Sequence, residues 1–201
     1  MAIILASSSE RRRRILEGLG LDFKVIVPLS DSGGSSEKGS CPQDMAKVMS
    51  VEKVARILSA AKAKSVAEKV SKDDIVIAAD TLVEIEGEAL GKPANDVDAL
   101  RMLKLLSGRS HRVFTGLTVI RGDFIKTVCE CTSVSFRSLD DDEILMYIDS
   151  GEASDKAGAY GIQGRGAVFV QGISGDYFNV VGLPVLKLYM ILRELGVPFF
   201  A

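Results

Sequence analysis

Short apolar runs alternate along the chain with longer segments in which apolar residues recur every three or four positions. Ile3-Ile4-Leu5 reads as a short buried strand. The helical spacing after it predicts a helix from residue 10 to about residue 20, where Gly18 and Gly20 suit the left-handed conformation of a helix end. Residues 23–27 predict a second strand, and residues 28–42, rich in Gly and Ser, predict a loop. Helical spacing then runs from residue 43 to 70 with room for one break. Ile75-Val76-Ile77 predict a buried strand, Asp80 interrupts its apolar run, and Glu86-Gly87 predicts a hairpin turn. Residues 95–108 read as an amphipathic helix. Residues 111–139 read as two strand-rich runs around Gly122-Asp123, and residues 140–151 as a helix with an acidic first turn. A glycine-punctuated loop follows at 155–166. Short strands are expected at 167–170 and 177–181, and a last helix from Pro184 to about Leu195. Hairpins mixed with strand–helix alternation predict an α/β fold built on a mixed sheet.

Composition sharpens this picture. A chain of 201 residues, 47% of them hydrophobic, can bury a substantial core, so residues 1–201 are expected to form one domain. The net charge of -2 argues against coating nucleic acid, which relies on excess cationic charge, but leaves room for a locally basic pocket. Cys41, Cys129 and Cys131 form no C-x-x-C, and the one histidine, His111, is distant in sequence. Buried, inert thiols in a reducing compartment are the expectation. No apolar stretch reaches the ~18 residues of a membrane span. The N-terminal apolar run is shorter than the ~7–15 residues of a signal-peptide core. A cytoplasmic protein with no membrane partner is expected.

Several residues are candidates for chemistry. Ser7, Ser8 and Ser9 precede Arg11–Arg14. A helix starting there offers free N–H groups, a positive dipole end and guanidinium donors to an anion. It also reads as a solvated, capped start, with Ser7-x-x-Glu10 in capping-box spacing, and the residues alone leave both readings open. Arg14, four residues after Glu10, is expected on the solvated side. Asp80, with Thr81 beside it, follows the apolar run IVIAA and is expected at the end of a buried strand. A carboxylate there calls for a metal, a cation or solvent, or else caps a turn. Lys92 supplies a cation between Gly91 and Pro93. The acidic run from Asp140 to Glu143 reads as a dipole-favoured helix start. Gln163 sits among glycines, where backbone can approach a ligand. His111 reads as structural.

The blocks LASSSERR (5–12), SVEKVA (50–55), AADTLV (78–83) with GKP (91–93), HRVFTGL (111–117), DKAGAYGIQG (155–164) and VVGLP (180–184) occur together and in order. In this the chain resembles the Maf family of nucleoside triphosphate pyrophosphatases, over about residues 3–197. The resemblance implies an inosine-triphosphatase-like (Maf/Ham1-type) mixed sheet with flanking helices, a central nucleotide-binding cleft and a homodimer. It implies hydrolysis of a nucleoside triphosphate to the monophosphate and pyrophosphate with a divalent metal, Mg²⁺ or Mn²⁺. By match to the family's motifs, Asp80 is the catalytic acid–base residue. Ser7, Arg11 and Arg12 form the phosphate loop, and Glu52, Lys53 and Lys92 are polar residues of the cleft. Arg11, Thr81 and Gln163 take positions linked to base selection. Asp80 and Asp31 are the expected metal ligands.

Gln163 favours the branch acting on dTTP and UTP. A primary amide matches the acceptor and N–H of a pyrimidine, whereas guanine's paired donors suit a carboxylate. A 7-methyl-GTP or other purine pyrophosphatase, and a low-turnover nucleotide-binding regulator of cell division, are the alternatives. Two departures from the family stand out. Glu10 replaces the usual proline near the expected phosphates, and PLSDSGG leaves Asp31 where an acidic cluster is usual.

Overall fold

A computed structural model describes residues 1–31 and 42–199. β1 (Ile3–Leu5) leads into α1 (Glu10–Gly18), β2 (Phe23–Val25) and a 3₁₀ turn at Leu29–Asp31. After α2 (Pro42–Ala46) and α3 (Val51–Ala67) come β3 (Ile75–Ile85), β4 (Glu88–Leu90), α4 (Asp96–Leu106), β5 (Ser110–Arg121), β6 (Phe124–Phe136) and α5 (Asp141–Asp149). Two 3₁₀ turns, Ala157–Ala159 and Arg165–Phe169, precede β7 (Val170–Ser174), α6 (Tyr177–Val181) and α7 (Val185–Glu194).

The strands form one mixed sheet in the order β2-β1-β3-β5-β6-β7, with β4 also paired to β3. β1 runs parallel to β2 and β3, and the remaining pairs are antiparallel. Alternation along β3 sorts its side chains between two layers. Ile75, Ile77 and Ala79 pack with Ile15 and Leu16 of α1 and Leu188 and Ile191 of α7. Farther along the same face, Val83 and Ile85 pack with Met102 and Leu106 of α4 and Ile144 and Ile148 of α5. The opposite face carries α3, which covers Val76 and Ala78 with Ala63 and Val66, and Leu82 with Val51, Val54 and Ala55.

One edge of β3 is split. β5 occupies the whole of the other edge, from Val76 to Glu84. On the split edge, β1 pairs with Ile75–Ile77 and β4 with Val83–Ile85. Beyond the bond from the Ala6 N–H to the Ile77 carbonyl, no described strand pairs with residues 79–82 on this edge. The opening lies past the C-terminal end of β1, with α1 on one face of the sheet and α3 on the other. Open α/β sheets bind ligands in this kind of crevice.

The structure revises some expectations. The helical stretch 43–70 does break once, as its spacing allows, into α2 and α3, the second capped by the Ser50 side chain accepting from the Lys53 N–H. Residues 167–169 belong to a 3₁₀ turn, and the strand starts at Val170. Residues 177–181 are helical despite their aromatic and β-branched content. The Asp176 side chain caps the Phe178 N–H, and the buried Asn179 amide bonds the Val113 carbonyl and the Thr132 hydroxyl, fixing a turn that a strand could not make. Of the cysteines, Cys129 packs beneath α3 and burial pushes its thiol up to about 12, whereas Cys131 lies beyond that cover and is exposed. Cys41 lies outside the described residues. Among the described residues no helix is long and apolar enough to cross a membrane.

Candidate active site

The β1–α1 turn builds the first wall. Ser9, rather than Ser7, is the cap of α1, with its hydroxyl accepting from the Arg12 N–H at 3.5 Å. Ser7 is buried, and its hydroxyl accepts from the Ser9 N–H at 3.1 Å and from Arg12 Nη1 at 3.2 Å. A cavity of about 210 Å³ lies over this turn, lined by Ser7–Ser9, Glu10, Arg13, Val25 and Val27.

The four arginines divide by position, since successive residues step ~100° around a helix. Arg13 and Arg14 are exposed and pair with Glu10 at 3.5 Å and 3.3 Å, so the acid replacing proline is held by two cations of its own helix. Arg11 reaches across to Asp155 at 3.0 Å. Arg12 turns inward. Its Nε donates to the Gly182 carbonyl at 2.8 Å and its Nη2 to the Thr81 hydroxyl at 3.1 Å. Burial lowers the Arg12 pKa, and the nearby carboxylates of Asp80 and Asp31 oppose that shift. The Thr81 hydroxyl continues the network to Thr115 at 3.0 Å, which donates to the Asn179 carbonyl at 2.9 Å.

Asp80 sits in the split of the β3 edge, on the α3 face. Its Oδ1 accepts from Lys62 Nζ at 2.5 Å. The same ammonium lies 3.0 Å from Asp31 Oδ1, and the Ser8 N–H donates to Asp31 Oδ2 at 3.3 Å. Burial works to raise the Asp31 pKa, but Lys62 and the Ser8 N–H outweigh it and hold the carboxyl below its ordinary value. Two carboxylates from distant segments thus converge on one cationic centre. The donor set fits Mg²⁺ or Mn²⁺, hard ions that take carboxylate oxygens and complete their shells with water and substrate phosphate. Among the described residues no group of three or more His, Cys, Asp or Glu is placed to hold a metal ion.

Lys62 escaped the sequence reading, although its signal was there. It falls on the helical stripe of Val54, Ala55, Leu58, Ser59, Ala63 and Val66 that faces the sheet. A lysine on a buried stripe requires a carboxylate partner. Glu52 and Lys53 lie off that stripe and are exposed, with Glu52 paired to Arg56 at 2.8 Å. The structure therefore makes two adjoining groups, Ser7, Arg12 and Thr81 in one and Asp31, Asp80 and the added Lys62 in the other, which meet where Asp80 and Thr81 are neighbours in β3. It pairs none of Glu52, Lys53, Lys92 or Gln163 with them directly.

The segment before Lys92 and the loop that carries Gln163 meet beside β3. The Gly158 N–H donates to the Gly91 carbonyl at 3.0 Å, next to Lys92. A Cβ on Gly158 would sit 3.0 Å from Val83 of β3, so the loop over 151–169 presses against the strand just beyond Thr81. Gln163 is exposed and makes no side-chain hydrogen bond to another described residue. His111 is structural: it is buried, its Nε2 lies 2.9 Å from the Tyr160 hydroxyl, and burial lowers its pKa to about 4. The acidic run is a capping box, with Asp140 and Glu143 satisfying each other's backbone and Glu143 paired to Arg137.

Comparison with known proteins bears on the fold and the family. The Staphylococcus aureus Ham1 protein aligns with a TM-score of 0.54 at 15% identity, covering 96% of this chain and 99% of that one, a likeness of fold. A dTTP/UTP pyrophosphatase of a Thermoanaerobacter species is 48% identical over 96% of both chains. A dTTP/UTP pyrophosphatase of Bacillus cereus is 46% identical, covering 97% of this chain and 96% of its own. The family model described as Maf-like protein matches residues 2–195, which takes in every segment of the site from the serine turn to Gly182, and the chain belongs to that family.

Proposed function

We propose that the protein is a nucleoside triphosphate pyrophosphatase that cleaves dTTP and UTP between the α- and β-phosphates, a house-cleaning activity that yields the monophosphate and pyrophosphate. The observation that carries this reading is the meeting of Asp80, Asp31 and Lys62 in the split edge of β3, beside the serine-capped start of α1. The printed activity of relatives 46–48% identical over nearly the whole chain supports the substrate class.

The residues divide the work as follows. The first turn of α1, with Ser7–Ser9 and Arg11, receives phosphate oxygens through backbone N–H groups, hydroxyls and a guanidinium. Arg12 holds Thr81 and Ser7 in place beneath that turn. Asp80 orients the attacking water and accepts its proton. Lys62 and Lys92 meet the charge that builds on the departing pyrophosphate. Asp31 and Asp80 would hold Mg²⁺ or Mn²⁺, which when bound neutralises phosphate oxygens and makes water more acidic. Gln163 reads the base through its amide.

The test is a panel of dTTP, UTP, GTP and 7-methyl-GTP with products resolved as pyrophosphate or orthophosphate. Pyrophosphate from dTTP and UTP in preference to the purines is expected. The Gln163→Glu variant should lose this preference by roughly tenfold or more, the effect of leaving a mismatched polar group against the base. Preferential turnover of 7-methyl-GTP by the wild type would replace the substrate assignment, and nucleotide binding without any pyrophosphate release would replace the activity.

A further inference from the structure

Residues 161–166 form a small closed loop with Gln163 at its tip. The Gly164 N–H reaches the Gly161 carbonyl at 3.4 Å, making a turn with Ile162 and Gln163 at its centre. Ile162 points inward and packs against both core layers on that face of the sheet, whereas Gln163 is exposed. At the base of the loop, a Cβ on Gly166 would lie 2.9 Å from the Gly161 carbonyl oxygen, so the two ends touch.

One carboxylate gathers this base. Glu152 Oε2 accepts from the Arg165 N–H at 2.9 Å. Its Oε1 accepts from the Gly166 N–H at 3.3 Å and from the Tyr147 hydroxyl at 3.2 Å. That hydroxyl accepts in turn from the Gly161 N–H at 3.1 Å, so both ends of the loop hang from the Tyr147–Glu152 pair. Gly164 leaves space for it, since a Cβ there would lie 2.3 Å from Glu152 Oε1. The Glu152 carbonyl also accepts from Lys156 Nζ at 2.7 Å, and Lys156 pairs with the Asp155 that Arg11 reaches. The loop is therefore tied both to α5 and to the start of α1.

We propose that Glu152 is a positioning residue that fixes Gln163 for base selection, a role that rests on the pyrimidine pyrophosphatase reading above. A side-chain amide discriminates between bases only if its carbonyl and NH₂ are held in register with them, and a misplacement of ~1 Å is enough to cost on the order of 10²-fold. Glu152 supplies that register from below, through backbone amides, without touching the nucleotide.

The experiment measures kcat and KM for UTP and GTP in the wild type, Glu152→Ala, Gln163→Ala and the double variant. Hydrogen exchange at the Arg165 and Gly166 amides is followed in the same proteins. Glu152→Ala is expected to lower the UTP-over-GTP ratio of kcat/KM by roughly tenfold or more, chiefly through KM, and to speed exchange at both amides. The double variant should lose no more of the ratio than Gln163→Ala alone, because the two residues act through one contact. Gly164→Ala, which pushes on the carboxylate from the loop side, should reproduce the loss if Glu152→Ala folds poorly. An unchanged ratio in folded Glu152→Ala and Gly164→Ala, or losses that multiply in the double variant, overturns the role of Glu152 while leaving the proposed activity intact. A wild type that releases no pyrophosphate from UTP overturns both.

Discussion

Lys62 concentrates the chemistry of the site at a single ammonium group. With Asp80 Oδ1 at 2.5 Å and Asp31 Oδ1 at 3.0 Å, it keeps two like charges close together. Lys62→Met leaves both carboxylates without that cation, and kcat/KM for dTTP should fall on the order of 10²-fold. Steady-state pyrophosphate release measures it, and full activity in the variant would remove Lys62 from the mechanism. His111 gives a pH prediction. Its folded pKa of about 4 lies below the unfolded value of ~6.5, so the unfolded chain binds the extra proton between them. This contribution is complete above pH ~6.5 and is lost as the pH falls, amounting to about 2 kcal/mol by pH ~5. His111→Gln should flatten that part of the urea midpoint against pH curve. Legibility at this scale was uneven. Asp80 announced itself as an acid after a buried run, although β3 continues past it to Ile85 and leaves it in mid-strand, whereas Lys62 needed its position on the α3 stripe to be compared with those of Glu52 and Lys53.

At the scale of the element, α3 depends on small residues to reach the sheet. Ala55, Ser59 and Ala63 line its buried face, and the Ser59 hydroxyl meets the Thr118 hydroxyl at 3.0 Å. Gly116, paired with Asp80 across the β3–β5 ladder, completes the contact, since a Cβ there would lie 2.1 Å from the Ala55 carbonyl oxygen. Gly116→Ala should therefore push α3 and Lys62 away from Asp80 and destabilise the fold by about 1–3 kcal/mol, as overpacking does. Thermal unfolding checks the stability and pyrophosphate release the coupled loss of turnover. An unaltered melting temperature would contradict the packing. The hairpins were legible from local chemistry. Glu86 and Gly87 both take positive φ (52° and 84°), as the two-residue turn requires. The helix at Tyr177–Val181 was not legible, because its cause is tertiary. The Asn179 side-chain NH₂ finds its partners only on β5 and β6, which local sequence does not reveal.

For the whole molecule, the split in the β3 edge is the feature that organises the site. Short β1 and β4 pair with opposite ends of one long strand and leave Asp80 and Thr81 between them. Helices on both faces then bring the serine turn and Lys62 to that opening. The alternation of hydrophobic runs was enough to read a mixed α/β sheet, and the order of short motifs was enough to read the family. Neither reveals which segments cross the opening, because register and crossover are set by pairing between distant strands. The role of Asp80 is tested by the products formed from dTTP by the wild type and by Asp80→Asn, resolved by phosphorus NMR. Equal amounts of dTMP and pyrophosphate from the wild type are expected, with the rate in Asp80→Asn lower by roughly 10²–10⁴-fold, the usual contribution of a general base. Orthophosphate and dTDP from the wild type, or an undiminished yield from Asp80→Asn, would contradict it.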